Sequence, residues 1–179
     1  MAKQFPAFTD EHMAFVAAQH IYFVGSAAAD GRVNLSPKGR DSVRILSPNR
    51  LVWLNLTGSG NETAAHLARV NRITLMWCSF DARPLILRAY GTASVTHRGA
   101  PGWDALYAHF PADPGARQVV DVAVVMVQTS CGYAVPLMEH KADRTVLHDW
   151  AVQKGDAPAA YWAEKNSRSI DGFPTGIGP

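Results

Sequence analysis

At 179 residues, with 47% hydrophobic and 18% charged residues, the chain has the size and make-up of one globular domain that can bury a core without disulfide staples. A net charge of +2, carried on scattered basic residues, argues against a nucleic acid or other polyanion as partner. No apolar run approaches the roughly 18 residues of a membrane span, and Met1-Ala2-Lys3-Gln4-Phe5-Pro6 opens no signal peptide, so a cytoplasmic protein with no membrane partner is expected.

The elements follow in order. Thr9-Asp10-Glu11 reads as an N-cap with an acidic first turn, and Met13, Val16, Ala17 and His20 recur at helical spacing, which predicts a short amphipathic helix over residues 9–19. The period then changes, and residues 20–28 read as a strand. Asp30-Gly31 is a two-residue hairpin signal that makes residues 32–36 its antiparallel partner, with Pro37-Lys38-Gly39-Arg40 breaking that partner. Residues 42–46 resume extended structure, and Ser47-Pro48-Asn49-Arg50 turns into a buried strand, Leu51-Val52-Trp53-Leu54-Asn55-Leu56.

That strand delivers Thr57-Gly58-Ser59-Gly60-Asn61-Glu62-Thr63 onto a helix. Ser59 with Glu62 fits a capping box, Asn61 is an equal alternative cap, and Asn71 is a left-handed stop. Small hydroxyl and amide residues with two glycines at a helix N-terminus offer free N–H groups and a positive dipole end, where a phosphate could sit. The turn matches neither the dinucleotide fingerprint nor a P-loop, and taken alone an ordinary capped turn is the commoner case.

Residues 73–78 read as another buried strand, residues 81–84 as a turn, and residues 85–95 as a long strand with Gly91 at a bulge. Trp103, Leu106, Tyr107 and Phe110 make an amphipathic helix of residues 102–110, a core stripe rather than a cofactor box. Residues 119–129 are a central strand that Cys131-Gly132-Tyr133 could extend. Two helices follow within residues 143–166, separated at Gly155-Asp156-Ala157-Pro158, with Val146, Leu147, Trp150 and Ala151 as a buried stripe. Beyond Ser167 an irregular arm is expected, disordered unless something covers it. Six or seven short antiparallel strands and few helices point to a mainly β protein, a closed or partly closed barrel with peripheral helices, in a single domain of residues 1–179 whose helical extension is residues 143–179.

Cys78 and Cys131 read as buried reduced thiols. The seven histidines show no metal-ligand spacing, with Glu139-His140 and His148-Asp149 the nearest approach to a cluster, so no metal site is expected. No nucleophile elbow is present either. Without an evident acid, base or nucleophile, the catalytic residues stay unassigned and an organic cofactor would have to carry the chemistry.

The succession of residues 20–28, the Asp-Gly hairpin, Arg32-Val33-Asn34-Leu35-Ser36-Pro37-Lys38-Gly39, Thr57-x-Ser59 before a helix, and Arg83-Pro84-Leu85-Ile86-Leu87-Arg88-Ala89-Tyr90-Gly91 resembles the FMN-binding split-barrel proteins related to pyridoxamine 5'-phosphate oxidase. The likeness runs over about residues 15–130. It implies a six-to-seven-stranded antiparallel split barrel of the FMN-binding type. It also implies a homodimer with FMN in a groove between the two chains, and an oxidoreductase acting on a small-molecule substrate or electron donor. The alternatives in the same structural class are a flavin- or haem-binding module without turnover and a deazaflavin-dependent reductase.

Carried over residue by residue, the resemblance implies cofactor binding by Ser36, Lys38, Thr57, Ser59, Gly60, Asn61, Thr63 and Arg88. Glu62 and Thr63 stand where the oxidases keep an Arg-Lys pair, so the cation for a phosphate must come from Lys38, Arg40 or Arg88; Lys38 is the favoured one, with an exposed turn lysine the competing reading. Pro84 replaces a flavin-contacting glutamine, and Trp162 and Arg168 do not align with the oxidases' carboxy-terminal pair, which argues against pyridoxamine phosphate as substrate. Trp77 and Tyr133 are candidates for a pocket wall, with core packing the weightier alternative.

Overall fold

The computed structural model describes residues 2–39, 41–155 and 158–178. Eight strands, β1 (Lys3–Phe5), β2 (Tyr22–Ser26), β3 (Asn34–Lys38), β4 (Val43–Ser47), β5 (Arg50–Leu56), β6 (Ile73–Cys78), β7 (Ile86–His97) and β8 (Ala116–Ser130), form one antiparallel sheet in the order β3-β2-β6-β7-β8-β5-β4. The eighth, β1, was too short and exposed to be read from pattern; it pairs with the C-terminal half of β8, while β5 pairs with the N-terminal half. The ends of the path, β3 and β4, are not paired with each other, which makes this an open sheet of the split-barrel type. Side chains span the split between the two halves instead: Tyr22 Oη of β2 and Ser42 Oγ, just before β4, lie 3.0 Å apart, and Lys38 Nζ of β3 donates to Asn55 Oδ1 of β5 at 3.1 Å.

Strand choice follows burial. Leu51, Trp53, Leu75, Trp77, Leu87, Val120 and Val122 are fully or almost fully buried and fill one side of the curled sheet with β-branched, aromatic and aliphatic bulk. Each such side chain contributes about 1.5–3 kcal/mol by leaving water. Val52, Leu54 and Val119 pack against the short helix α3 (Trp103–Tyr107) and Phe110. The helix is shorter than its stripe suggested, because Gly102 starts it in the left-handed region and residues 108–110 finish in tight turns. At Gly91 the register against β8 slips by one, leaving Val125 as the extra residue. A Cβ on Gly91 would overlap the Ala123 carbonyl oxygen, so the bulge depends on glycine.

Helix α1 (Asp10–Ala17) is capped as its sequence suggests, with Thr9 Oγ1 accepting from His12 N and His12 Nδ1 accepting from Thr9 N. Other expectations need correction. Ser26 pairs with Asn34, so Asp30-Gly31 lies within a seven-residue loop of residues 27–33 rather than a two-residue turn. Pro37 does not break β3: it sits opposite Phe23 within the strand, which tolerates proline because it is an edge. Arg40, Asp156 and Ala157 lie outside the described residues.

Helix α2 (Glu62–Arg69) has Asn61 at its N-cap position but no side-chain cap; Glu62 accepts from Ile170 N instead of closing a box with Ser59. Asn71 takes no left-handed conformation and accepts from Ala93 N at 2.7 Å. Strand β8 ends at Ser130. Tyr133 is exposed, Cys131 is exposed while Cys78 is buried, and Trp77 is core.

The two tail helices are α4 (Val146–Lys154) and α5 (Pro158–Lys165). Ala151 is their tightest contact, whereas Val146 is exposed, since the face toward the barrel is narrower than its apolar run. The arm beyond Ser167 is ordered by its own chain. Arg168 bridges Pro174, Asp171 pairs with Arg32, the Arg69 guanidinium lies 4.0 Å from the centre of the Phe173 ring, and Thr175 donates to Asn166 O at 2.5 Å.

Candidate functional site

At the split between the sheet ends lies a cavity of about 450 Å³. Strand β3 supplies one wall, β5 and the following turn the other, and Arg117 near the start of β8 closes the back. Seven of the eight residues expected at a cofactor site, Ser36, Lys38, Thr57, Ser59, Gly60, Asn61 and Thr63, line this one space. Arg88 does not. It sits on β7 and donates to Ser130 Oγ at 3.0 Å, away from the cavity, because the strand's alternation carries it elsewhere.

The turn is held from behind. Thr57 donates to Gly115 O at 2.9 Å through its hydroxyl and accepts from Trp162 Nε1 at 2.9 Å, so its proton is already committed. Asn166, fully buried at the end of α5, donates to Gly58 O at 3.0 Å and accepts from Arg117 Nη1 at 2.6 Å. Arg117 also donates to Gly60 O at 3.1 Å. These contacts take up carbonyl oxygens of the turn, whereas the amides of residues 58–61 donate to no other described residue. A turn whose carbonyls are bound on one side and whose amides are unspent on the other is arranged to receive an anion.

Arg117, which sequence reasoning missed, is 3% exposed. Burial lowers its pKa to about 10, and its Nε has no hydrogen-bond partner among the described residues. Lys38, half-buried, is lowered to about 8, first by burial and then by the Arg117 charge. Two cations brought together with no acid paired to either among the described residues make an electropositive pocket that a bound anion would relieve. Asn34 and Asn55 are further lining residues that pattern did not single out.

A second, more open and mostly apolar cavity of about 1090 Å³ shares Pro37, Lys38, Gly39 and Leu147 with the first. Ile21, Phe80, Met138 and Trp150 contribute apolar surface, and His20 and His140 stack at its edge with centroids 3.7 Å apart. Among the described residues no three of His, Cys, Asp or Glu are grouped to hold a metal ion. None of the described helices is long and apolar enough to cross a membrane.

Comparison with known proteins agrees with this architecture. The family model described as Pyridoxamine 5'-phosphate oxidase matches residues 8–131. The Pyridoxamine 5'-phosphate oxidase family protein ustO of Aspergillus flavus is 35% identical over 176 residues, covering 87% of this chain and 70% of that protein. Among solved structures, a variant of HupZ from Group A Streptococcus superposes with a TM-score of 0.55 at 21% identity, over 68% of this chain and 98% of that one. A candidate pyridoxamine 5'-phosphate oxidase of Lactobacillus delbrueckii gives 0.55 at 21% identity, over 69% and 94%. The structural likeness speaks for the fold alone. A family model spanning most of the chain, with a relative that keeps a third of its residues along most of its length, establishes that the chain belongs to the pyridoxamine 5'-phosphate oxidase family.

Proposed function

We propose that this protein is an FMN-dependent oxidoreductase that holds the flavin's phosphate in the cavity at the split, between Lys38, Arg117 and the amides of residues 58–61. The observation that carries the reading is the convergence of Lys38 and Arg117 on one cavity floored by unspent amides. The residues fit a phosphate dianion. Arg117 keeps a buried Nε without a partner, Lys38 has the ammonium that the turn itself lacks, and Ser36 and Ser59 add hydroxyls.

When bound, FMN supplies hydride and single-electron transfer, chemistry for which the cavity's own side chains have no substitute. The chain's part is to bind, orient and exclude water. Arg117 and Asn166 fix the backbone of the turn, Lys38 neutralises charge at its rim, and the second cavity beside Lys38, with apolar surface from Ile21, Phe80, Met138 and Trp150, has room for a substrate with an apolar body. A homodimer belongs to the same reading. Val33 and Leu35 are 78% and 67% exposed on or beside edge strand β3, a surface that a second copy of this chain would cover next to the cavity.

Titrating purified protein with FMN, followed by flavin fluorescence, tests the binding, and light scattering tests the dimer. Saturable quenching at one flavin per chain is expected. Anaerobic bleaching of the bound flavin by NADH or NADPH, and recovery in air, separates an enzyme from a passive carrier. Absence of binding up to millimolar FMN would remove the reading.

A further inference from the structure

A line of buried polar side chains leads away from Lys38 across three strands. Lys38 Nζ donates to Asn55 Oδ1 at 3.1 Å, Asn55 Nδ2 donates to Gln118 Oε1 at 2.9 Å, and Gln118 Nε2 lies 3.2 Å from His97 Nδ1. Asn55 is 4% and Gln118 0% exposed, so neither amide has water to turn to. Burying two primary amides between apolar strands costs free energy that only full pairing offsets, and hydrophobic residues would fill the same positions more cheaply.

The direction of the chain follows from chemistry at one end. An ammonium has donors and no acceptor, so Asn55 must turn its oxygen to Lys38 and its NH₂ to Gln118. Gln118 must then turn its oxygen to Asn55 and its NH₂ to His97. His97 Nδ1 is thereby obliged to offer a lone pair, which puts the ring proton on Nε2, the side packed against the Gly176 backbone of the arm. All donors point the same way.

We propose that Asn55 and Gln118 are positioning residues for Lys38, forming with His97 a one-way hydrogen-bond chain in which an ammonium at one end requires an unprotonated Nδ1 at the other. Placing a proton on His97 Nδ1 sets N–H against NH₂. Relief requires both amides to reverse, and the reversed Asn55 would present its NH₂ to the ammonium. The chain therefore accommodates a proton at either end but not at both, and near neutral pH it keeps Lys38 charged and aimed along the cavity rim.

The charged surroundings act on both ends. Arg117 faces both ends and disfavours a proton on either. Glu62 lines the cavity with Lys38 but is bound to Ile170 N. On the second cavity's side Lys38 shares its lining with the acids Asp81, Glu139 and Asp143, the bases Lys141 and Arg144, and the stacked His20 and His140. His97 has its pKa lowered by burial and then by Arg117, consistent with a ring that stays neutral.

The consequence for phosphate rests on the flavin reading above; the chain itself does not, and its test uses no flavin. In ¹⁵N-labelled full-length protein near neutral pH, the His97 ring should show the Nε2–H tautomer with a bare Nδ1. Replacing Lys38→Met should raise the His97 pKa by at least about half a unit, because the amides become free to reverse. In a Gln118→Met background that rise should vanish. A proton on Nδ1 in the wild type overturns the proposal without recourse to any variant. An equal rise with and without Gln118 also overturns it, since Coulomb repulsion across space would then suffice. Failure of FMN to bind would leave both readouts unaffected, so the two ideas fail separately.

Discussion

Arg117 on the central strand and Asn166 at the end of the last helix are joined by a 2.6 Å hydrogen bond, both side chains almost wholly buried. Through it the sheet, the turn of residues 57–61 and the C-terminal arm share one fastening, because Arg117 also binds Gly60 O and Asn166 also binds Gly58 O. Replacing Arg117→Met removes charge-assisted bonds worth about 1.5–3 kcal/mol each. Some of that loss is offset by the easier burial of Met. Urea denaturation should show a net destabilisation, and limited proteolysis should cut the arm near Asn166 sooner than in the wild type.

Lys38 is expected to contact the phosphate directly. Lys38→Ala should weaken FMN by about 1.5–3 kcal/mol, roughly ten- to a hundredfold in Kd, with the fold intact because the side chain sits at a rim. A fluorescence titration checks it. An unchanged Kd would take Lys38 out of the site.

The pH dependence has a definite sign. Lys38 titrates at about 8 in the folded protein and at its ordinary 10.5 when unfolded, so between those values the unfolded chain binds more protons. The stability of the flavin-free protein should therefore rise as pH climbs through this window and fall as pH drops toward 8. FMN affinity should run the opposite way and weaken above about pH 8, where the free protein loses the ammonium. Lys38→Met should remove both slopes in the lower part of this window, below the range around pH 10 where Arg117 begins to titrate, as denaturant melts and titrations in a pH series would reveal.

At Gly91→Ala the added methyl meets the backbone of Ala123, which belongs to the partner strand and cannot rotate away. A loss of about 1–3 kcal/mol or more is expected from overpacking. The bulge lies far along β7 from the cavity turn, so FMN binding per folded molecule should be unaffected; a melt read together with a flavin titration distinguishes the two.

Much of this architecture was legible because it depends on local chemistry. The apolar run of residues 51–56, the glycine-rich turn after it and Lys38 in Ser36-Pro37-Lys38-Gly39 each carry their own signal, and the fold brings them to one cavity. Arg117 carried none. Beside Ala116 and Gln118 it reads as the ordinary polar edge of a strand, and its partners, Gly60 and Asn166, lie 57 and 49 residues away in the chain. Arg88 lies apart from that cavity for the converse reason, since its motif neighbours are right but strand alternation turns it away. The arm was legible in part: composition pointed to irregular structure that is ordered only if covered, and the cover comes from contacts that no pattern signals, Thr175 donating to Asn166 O, Asn166 donating to Gly58 O and Glu62 accepting from Ile170 N.

The central claim is that the corner between Lys38, Arg117 and the amides of residues 58–61 receives the phosphate of a flavin. A crystal structure of the protein with FMN tests it most directly. The account predicts phosphate oxygens within hydrogen-bonding distance of Lys38 Nζ, of Arg117 and of at least one of those amides; a flavin seated elsewhere, or a corner that stays closed to saturating FMN, would contradict it.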